Sequence, residues 1–214
     1  MNSSILVYGI GFLAQLCFSA RVLVQWVLSE KKHKVISPTL FWIFSLVGAY
    51  IMFCYGWLRS DFSIIVGQFI SFYIYVGNLR LKGAWNKIPL ILRWLLLITP
   101  LVAALATSAE YSGTEFVNEF LRNDRIPLWL VIFGTTGQIV FTLRFVYQWL
   151  YSSKRHESVL PPVFWWISLA GSCVIVVYGI LRYDPVLVLG QSMGFISYIR
   201  NLMIGHHEPK DEVG

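Results

Sequence analysis

The sequence predicts an all-α integral membrane protein of seven transmembrane helices, built as two parallel three-helix bundles joined by a linker helix. Three observations carry that prediction. Of 214 residues, 57% are hydrophobic and 13% are charged, about half the roughly 25% charged content of soluble domains, too little to cover a soluble fold of this size. Apolar stretches near the ~20 residues that cross a bilayer recur along almost the whole chain. An internal repeat is also present. Shifted by 123 residues, Gly11–Leu79 aligns without a gap to Gly134–Leu202, with 26 of 69 positions identical.

The first span, Ile5–Leu28, has no basic region before it and no small-residue cleavage pattern after it, so it reads as a retained helix rather than a cleaved signal. Pro38–Leu58 and Phe62–Leu79 follow, separated only by Arg59-Ser60-Asp61, which predicts a tight antiparallel hairpin. Pro89–Thr107 is the linker span. The polar connection Ser108–Ile126 comes next, with a short surface helix expected around Thr114–Leu121. Pro127–Tyr151, Pro161–Leu181 and Pro185–Ile204 then repeat the first three spans, with Arg182-Tyr183-Asp184 at the second hairpin. Five spans open at a proline, whose missing N–H is unneeded in a first helical turn. The units are therefore 1–82 (first repeat), 83–126 (linker helix and outer loop), 127–205 (second repeat) and 206–214, a polar tail expected to be disordered.

The identities between the repeats are mostly polar and aromatic: Gln15/Gln138, Arg21/Arg144, Trp26/Trp149, Tyr55/Tyr178, Asn78/Asn201. Chance likeness between apolar segments would match Leu, Ile and Val instead. Three crossings leave a repeat on the far side of the membrane and the linker span brings the chain back. Both repeats then enter in the same direction, related by an axis along the membrane normal. One side carries nine basic residues, among them Lys31, Lys32, Lys82, Lys154 and Arg155, and the other four. Basic loops stay cytoplasmic, so the N-terminus is expected outside and the C-terminus inside. The formal charge of +6 reflects that topology and anionic headgroups, not nucleic acid.

Arg21 and Arg144 lie well inside the first span of each repeat, where a charge costs about 2.5–3.5 kcal/mol on insertion scales. At 100° per residue, Gly11, Gln15, Phe18, Arg21, Gln25 and Trp26 share an arc of about 140°. The second repeat sets Gly134, Gln138, Phe141, Arg144, Gln148 and Trp149 the same way. The third spans add Gln68, Phe72, Tyr75 and Asn78, echoed by Gln191, Phe195, Tyr198 and Asn201. Guanidinium, amides and aromatics on one face describe the wall of a polar cavity. Guanidinium grips phosphate or carboxylate in a fork and does not deprotonate. The candidate substrate-binding set is Arg21, Gln25, Trp26, Gln68, Asn78, Arg144, Gln148, Trp149, Gln191 and Asn201. A competing reading has the two arginines snorkelling to headgroups, or bonding to Gln68 and Gln191 to hold helices together.

Other features read as structural. Arg59-x-Asp61 and Arg182-x-Asp184 are expected to be local ion pairs holding a turn. His33 and His156 belong to solvated loops, and His206-His207 is a weak metal signal. Cys17, Cys54 and Cys173 read as small buried apolar residues. Neither a metal-ligand cluster nor a nucleophile–base pair is visible, so the chain is expected to be no enzyme and to need no cofactor.

The motif G-x-x-x-Q-x-x-F-x-x-R-x-x-x-Q-W (Gly11–Trp26), then Pro38-x-x-Phe41-Trp42-x-x-Ser45-Leu46-x-Gly48, Arg59-x-Asp61, Gly67-Gln68 and Asn78-Leu79, resembles the lipid-A-disaccharide synthase N-terminal domain family of bacteria. Gly134–Leu202 resembles it equally. That family is similar to the PQ-loop superfamily, which includes SWEET transporters, although the Pro-Gln dipeptide is absent here. The resemblance implies a three-plus-one-plus-three arrangement in the bacterial inner membrane. It also implies a transporter or flippase of an anionic lipid-linked sugar, phospholipid or polyprenyl-linked envelope precursor. Two alternatives stay open: an accessory subunit or anchor of an envelope glycosyltransferase, and a SWEET-like carrier of small sugars or carboxylates. A cavity without a lateral opening to lipid would favour the last.

Overall fold

The computed structural model describes residues 2–110 and 127–206. Among these the chain forms seven α-helices, one 3₁₀ turn and no strand. They are α1 (Asn2–Lys32), α2 (Thr39–Leu58), α3 (Phe62–Leu81), the 3₁₀ turn Trp85–Lys87, α4 (Leu90–Glu110), α5 (Leu128–Arg155), α6 (Pro162–Leu181) and α7 (Pro185–His206). The surface helix expected around Thr114–Leu121 and the tail beyond His206 fall outside the described residues.

Local chemistry sets the helix ends. Pro38, Pro127 and Pro161 sit in extended conformation immediately before α2, α5 and α6, one position earlier than the first turn in which the sequence suggested them. Ser60 and Tyr183 take positive φ of 47° and 49°, turning each hairpin within three residues. Asp61 then accepts from the Ile64 N–H at 3.2 Å, and Asp184 from the N–H groups of Val186 and Leu187 at 3.0 and 3.3 Å, satisfying donors that a helix start leaves open. His33 and His156, both exposed, adopt φ of 50° and 52° where α1 and α5 end. A left-handed residue is a common helix stop, and this accounts for the repeated histidine.

Among the described residues five stretches are long and apolar enough to cross a membrane: Ile5–Lys32, Thr39–Leu58, Ile64–Leu81, Leu128–Arg155 and Pro162–Leu181. The sequence suggested seven. In α4 the described apolar stretch is Leu90–Val102, and Ala103-Ala104-Leu105 continue its apolar sequence. In α7 the polar side chains Gln191, Ser192, Ser197, Arg200 and Asn201 dilute the apolar character, and of these Ser197 and Asn201 are buried against other helices.

Six helices close a ring: α1 packs on α2, α2 on α3, α3 on α5, α5 on α6, α6 on α7, and α7 back on α1. In neither repeat do the first and third helices form a closely packed pair, so the ring is held together across the repeats at α3–α5 and α1–α7. α4 lies outside it, held on α3 where the Tyr73 hydroxyl donates to the Leu97 carbonyl at 3.0 Å. Within each repeat, rings lie over glycines. Tyr55 covers Gly11 and Phe18 covers Gly48, while Tyr178 covers Gly134 and Phe141 covers Gly171. Small residues admit this close approach, which accounts for the matched glycines. Cys54 and Cys173 are exposed on the outer faces of α2 and α6, and Cys17 is only partly covered. The expectation that all three are buried is therefore corrected: Gly48, Tyr55 and Ser172, not the cysteines, turn inward on those helices.

A methyl group on Gly11 would meet the Tyr55 ring at 2.8 Å, whereas Gly9 has nothing within 4 Å. Gly11→Ala is expected to destabilise the bundle by about 1–3 kcal/mol and Gly9→Ala to leave it unchanged, read as the shift in thermal unfolding in detergent.

Candidate central cavity and its latches

Arg21 on α1 and Arg144 on α5 are 5% and 1% exposed. Neither snorkels outward. Arg21 donates from Nη1 to the Ser45 hydroxyl at 3.0 Å and to the Tyr75 hydroxyl at 3.1 Å. Its guanidinium lies 4.5 Å from the Phe18 ring centroid and that of Arg144 lies 3.1 Å from Phe141. Both also lie against one shared ring, Phe145, at 5.3 and 4.4 Å, so the two cations stand one aromatic ring apart. Aromatic faces partly stand in for water around a guanidinium. The hydrogen bonding is incomplete: Nε of Arg21 and both Nε and Nη1 of Arg144 are buried without a partner, as is Oε1 of Gln68.

Arg21, Arg144 and Gln68 line a cavity of about 490 Å³, within the roughly 300–1,000 Å³ of small-molecule sites. From the candidate set, Arg21, Trp26, Gln68, Arg144 and Gln191 line it. Gln15, Gln138, Tyr75 and Tyr198, from the same helical stripes but outside that set, line it as well. Gln25, Asn78, Gln148, Trp149 and Asn201 do not. Gln25 and Asn201 pair their side-chain amides reciprocally at 2.7 and 3.1 Å across α1 and α7. Asn78 and Gln148 do the same at 3.0 and 2.9 Å across α3 and α5. All four are 0% exposed. Gln148 also bonds the Ser152 hydroxyl and the Val159 carbonyl, so its polar capacity is used within the protein. Trp149 lies over Gly77 of α3.

At the opposite end, the Arg-x-Asp turns exchange partners. Arg59 meets Asp184 at 3.4 Å and Arg182 meets Asp61 at 3.7 Å. The Tyr55 hydroxyl donates to Asp184 and the Tyr178 hydroxyl to Asp61, both at 2.9 Å. The expected local pairs are thus corrected to pairs across the repeats. Each aspartate is turned inward as a helix cap, away from its own arginine, and buried at 3% and 1% exposure. The cavity lies between two latches, one ionic and one of neutral amides, and both are duplicated. The described residues hold no group of three or more potential metal-ligating side chains.

Phe145 escaped the sequence reading. Its counterpart 123 positions earlier is Val22, so a search for identities between repeats passes over it.

A family model described as the Lipid A Biosynthesis N-terminal domain matches residues 10–80 and again 133–203. Among similar proteins, one from Chlamydia pneumoniae is 30% identical over 208 residues, covering 96% of this chain and 34% of the relative. One from Chlamydia caviae is 32% identical over 211 residues, covering 92% and 33%. A third, from Chlamydia abortus, is 32% identical over 208 residues, covering 93% and 33%. All three are named lipid-A-disaccharide synthase, and the chain spans about a third of their length. The expectation that the chain is no enzyme is corrected on these relatives: each bears an enzyme's name along a match of nearly the whole chain, which corresponds to about a third of that enzyme. No solved structure matches the chain, so the likeness to PQ-loop and SWEET proteins stays without support from that side.

Removing one member of an amide pair strands the other, at about 1–3 kcal/mol. Asn201→Leu is expected to cost that much in thermal unfolding. The Gln25→Leu, Asn201→Leu double variant should cost less than the two single changes added together, a coupling measurable by a double-mutant cycle.

Proposed function

Since the chain belongs to the Lipid A Biosynthesis N-terminal domain family, we propose that it binds the anionic head of a lipid-linked sugar or related envelope lipid between its repeats and carries it across the membrane. The observation that bears most weight is the buried pair Arg21 and Arg144, whose unpartnered N–H groups border a cavity large enough for one phosphorylated sugar head. A phosphate there would take up the free donors in charge-assisted bonds. Gln15, Gln68, Gln138 and Gln191 would meet hydroxyl and ester oxygens, and Trp26 would cover a sugar face.

In this reading the helices form two three-helix repeats with α4 between them, in the inner membrane, with the basic ends of α1 and α5 toward the cytoplasm. The repeats rock against each other. Opening the amide latch turns the cavity toward the basic end, and opening the ionic latch turns it toward the other. Both ends are linked by interactions that can be exchanged with water, and this supports a moving interface over a fixed one.

A second reading is favoured by the relatives' names: the chain acts as the membrane part of lipid-A-disaccharide synthesis, presenting substrate to a glycosyltransferase. Both readings need the same lipid site and differ in whether the lipid crosses. The chain with Arg21→Ala and Arg144→Ala is expected to lose at least tenfold in anionic-lipid retention, and transfer between leaflets of reconstituted vesicles should fall with it. A well-folded double variant that retains and transfers lipid as before removes the site assignment. Retention without transfer in the unaltered chain favours the second reading.

A further inference from the structure

The two seams between the repeats are built from the same motif but are not alike. At α3–α5, Trp149 fits over Gly77. The groove there holds only about 50 Å³, while on the same helix Phe69 packs on Tyr73 and Ile74 against the core. At α1–α7 the counterpart of Gly77 is Arg200, and the counterparts of Phe69 and Ile74 are Ser192 and Ser197. An indole cannot lie over Arg200 as it does over glycine. Trp26 instead donates to Glu30 at 2.9 Å, and Glu30 holds Arg200 through both carboxylate oxygens. The counterpart of Glu30 is Ser153, so the other seam has no such pair.

The consequence is an opening on one side. The central cavity continues past Ser19 and Ser192 to Leu23, Leu189 and Ile196, which are 46%, 57% and 65% exposed on the outer surface. At α3–α5 the buried side chains of Gln138 and Thr142 stand between the central cavity and the small outer groove.

Resting on the proposed lipid site, we infer that the α1–α7 seam is the lateral doorway of this protein. The phosphorylated head of a bilayer lipid lies against Arg21 and Arg144, and its acyl chains run out between α1 and α7 over Leu23, Leu189 and Ile196. The volume supports this division, because about 490 Å³ accommodates a head but not two long chains as well. The chains need a route into hydrocarbon, and the structure has one. Trp26, Glu30 and Arg200 close the basic end of the doorway, so the lipid enters from the side below them rather than from the aqueous end. The α3–α5 seam acts as the closed hinge side.

The test uses the full chain extracted from vesicles of phosphatidylcholine with one-tenth dioleoyl phosphatidic acid, with retained lipid read by native mass spectrometry. Plugging the doorway with Ser19→Phe and Ser192→Phe is expected to lower phosphatidic acid retention at least tenfold while glucosamine 1-phosphate, which has no chains, still binds. Ile70→Phe with Leu143→Phe on the closed seam should leave both unchanged. Retention by the plugged chain equal to the unaltered one overturns the doorway. Retention by the Arg21→Ala, Arg144→Ala chain overturns the site itself instead. Should the plugged chain lose both probes, a photoreactive benzoylphenylalanine decides. At Leu23 it should form a phosphatidic acid adduct that the arginine changes abolish, while at Val146, its counterpart, it should not. Equal arginine-dependent adducts at both overturn the assignment.

Discussion

Two cations buried inside an apolar bundle set the terms for everything around them. A buried charge without compensation costs several kcal/mol, and this chain carries two, one aromatic ring apart on either side of Phe145. The surrounding architecture answers that cost in a graded way. Aromatic faces from Phe18, Phe141 and Phe145 lie against the guanidiniums, and the Ser45 and Tyr75 hydroxyls accept from Arg21. The account is left open by three N–H groups. A bundle meant only to be stable would replace such groups with well-packed apolar ones. In the proposed reading their place beside a cavity ties packing to binding.

The cavity survives because the repeats are fastened on either side of it and not through it. The Gln–Asn pairs hold one end and the Tyr–Asp–Arg groups the other. In between, Gln15 and Gln138 press on glycines of the facing repeat, Gly190 and Gly67. Those glycines let α1–α7 and α3–α5 approach closely while an amide remains at the cavity edge. In the proposed rocking, amides and ion pairs that release one another would find water, whereas a continuous apolar interface would have to be exposed.

Much of this was legible in the sequence. The repeat is carried by residues whose roles are geometric, such as Gly11 under Tyr55, Gly48 under Phe18 and Asp61 capping α3, and duplicated geometry leaves duplicated letters. The polar stripe on the first helix was legible too, but not its division. An arc of about 140° is wide enough to face both a cavity and a neighbouring helix, so Arg21 and Gln25, one turn apart, look equivalent on a wheel while only the former lines the cavity. The partner exchange at the hairpins was hidden for a different reason. Adjacency in sequence suggests Arg59 with Asp61, but the positive φ at Ser60 turns the carboxylate into its own helix and toward the other repeat. Phe145 and the asymmetric seam were hidden because they lie where the copies differ.

The reciprocity of the latches reaches back to the ancestry of the molecule. Arg59 reaches Asp184 as Arg182 reaches Asp61, and Gln25 reaches Asn201 as Gln148 reaches Asn78. Contacts of that kind are isologous: a half-length chain already owns both sides of every bond and would assemble with its twin into a symmetric dimer. Such a dimer must keep its two flanks identical, since any change appears on both. A single chain carrying both copies is free of that restriction, and here Gly77 answers to Arg200 and Glu30 to Ser153, so the two flanks differ.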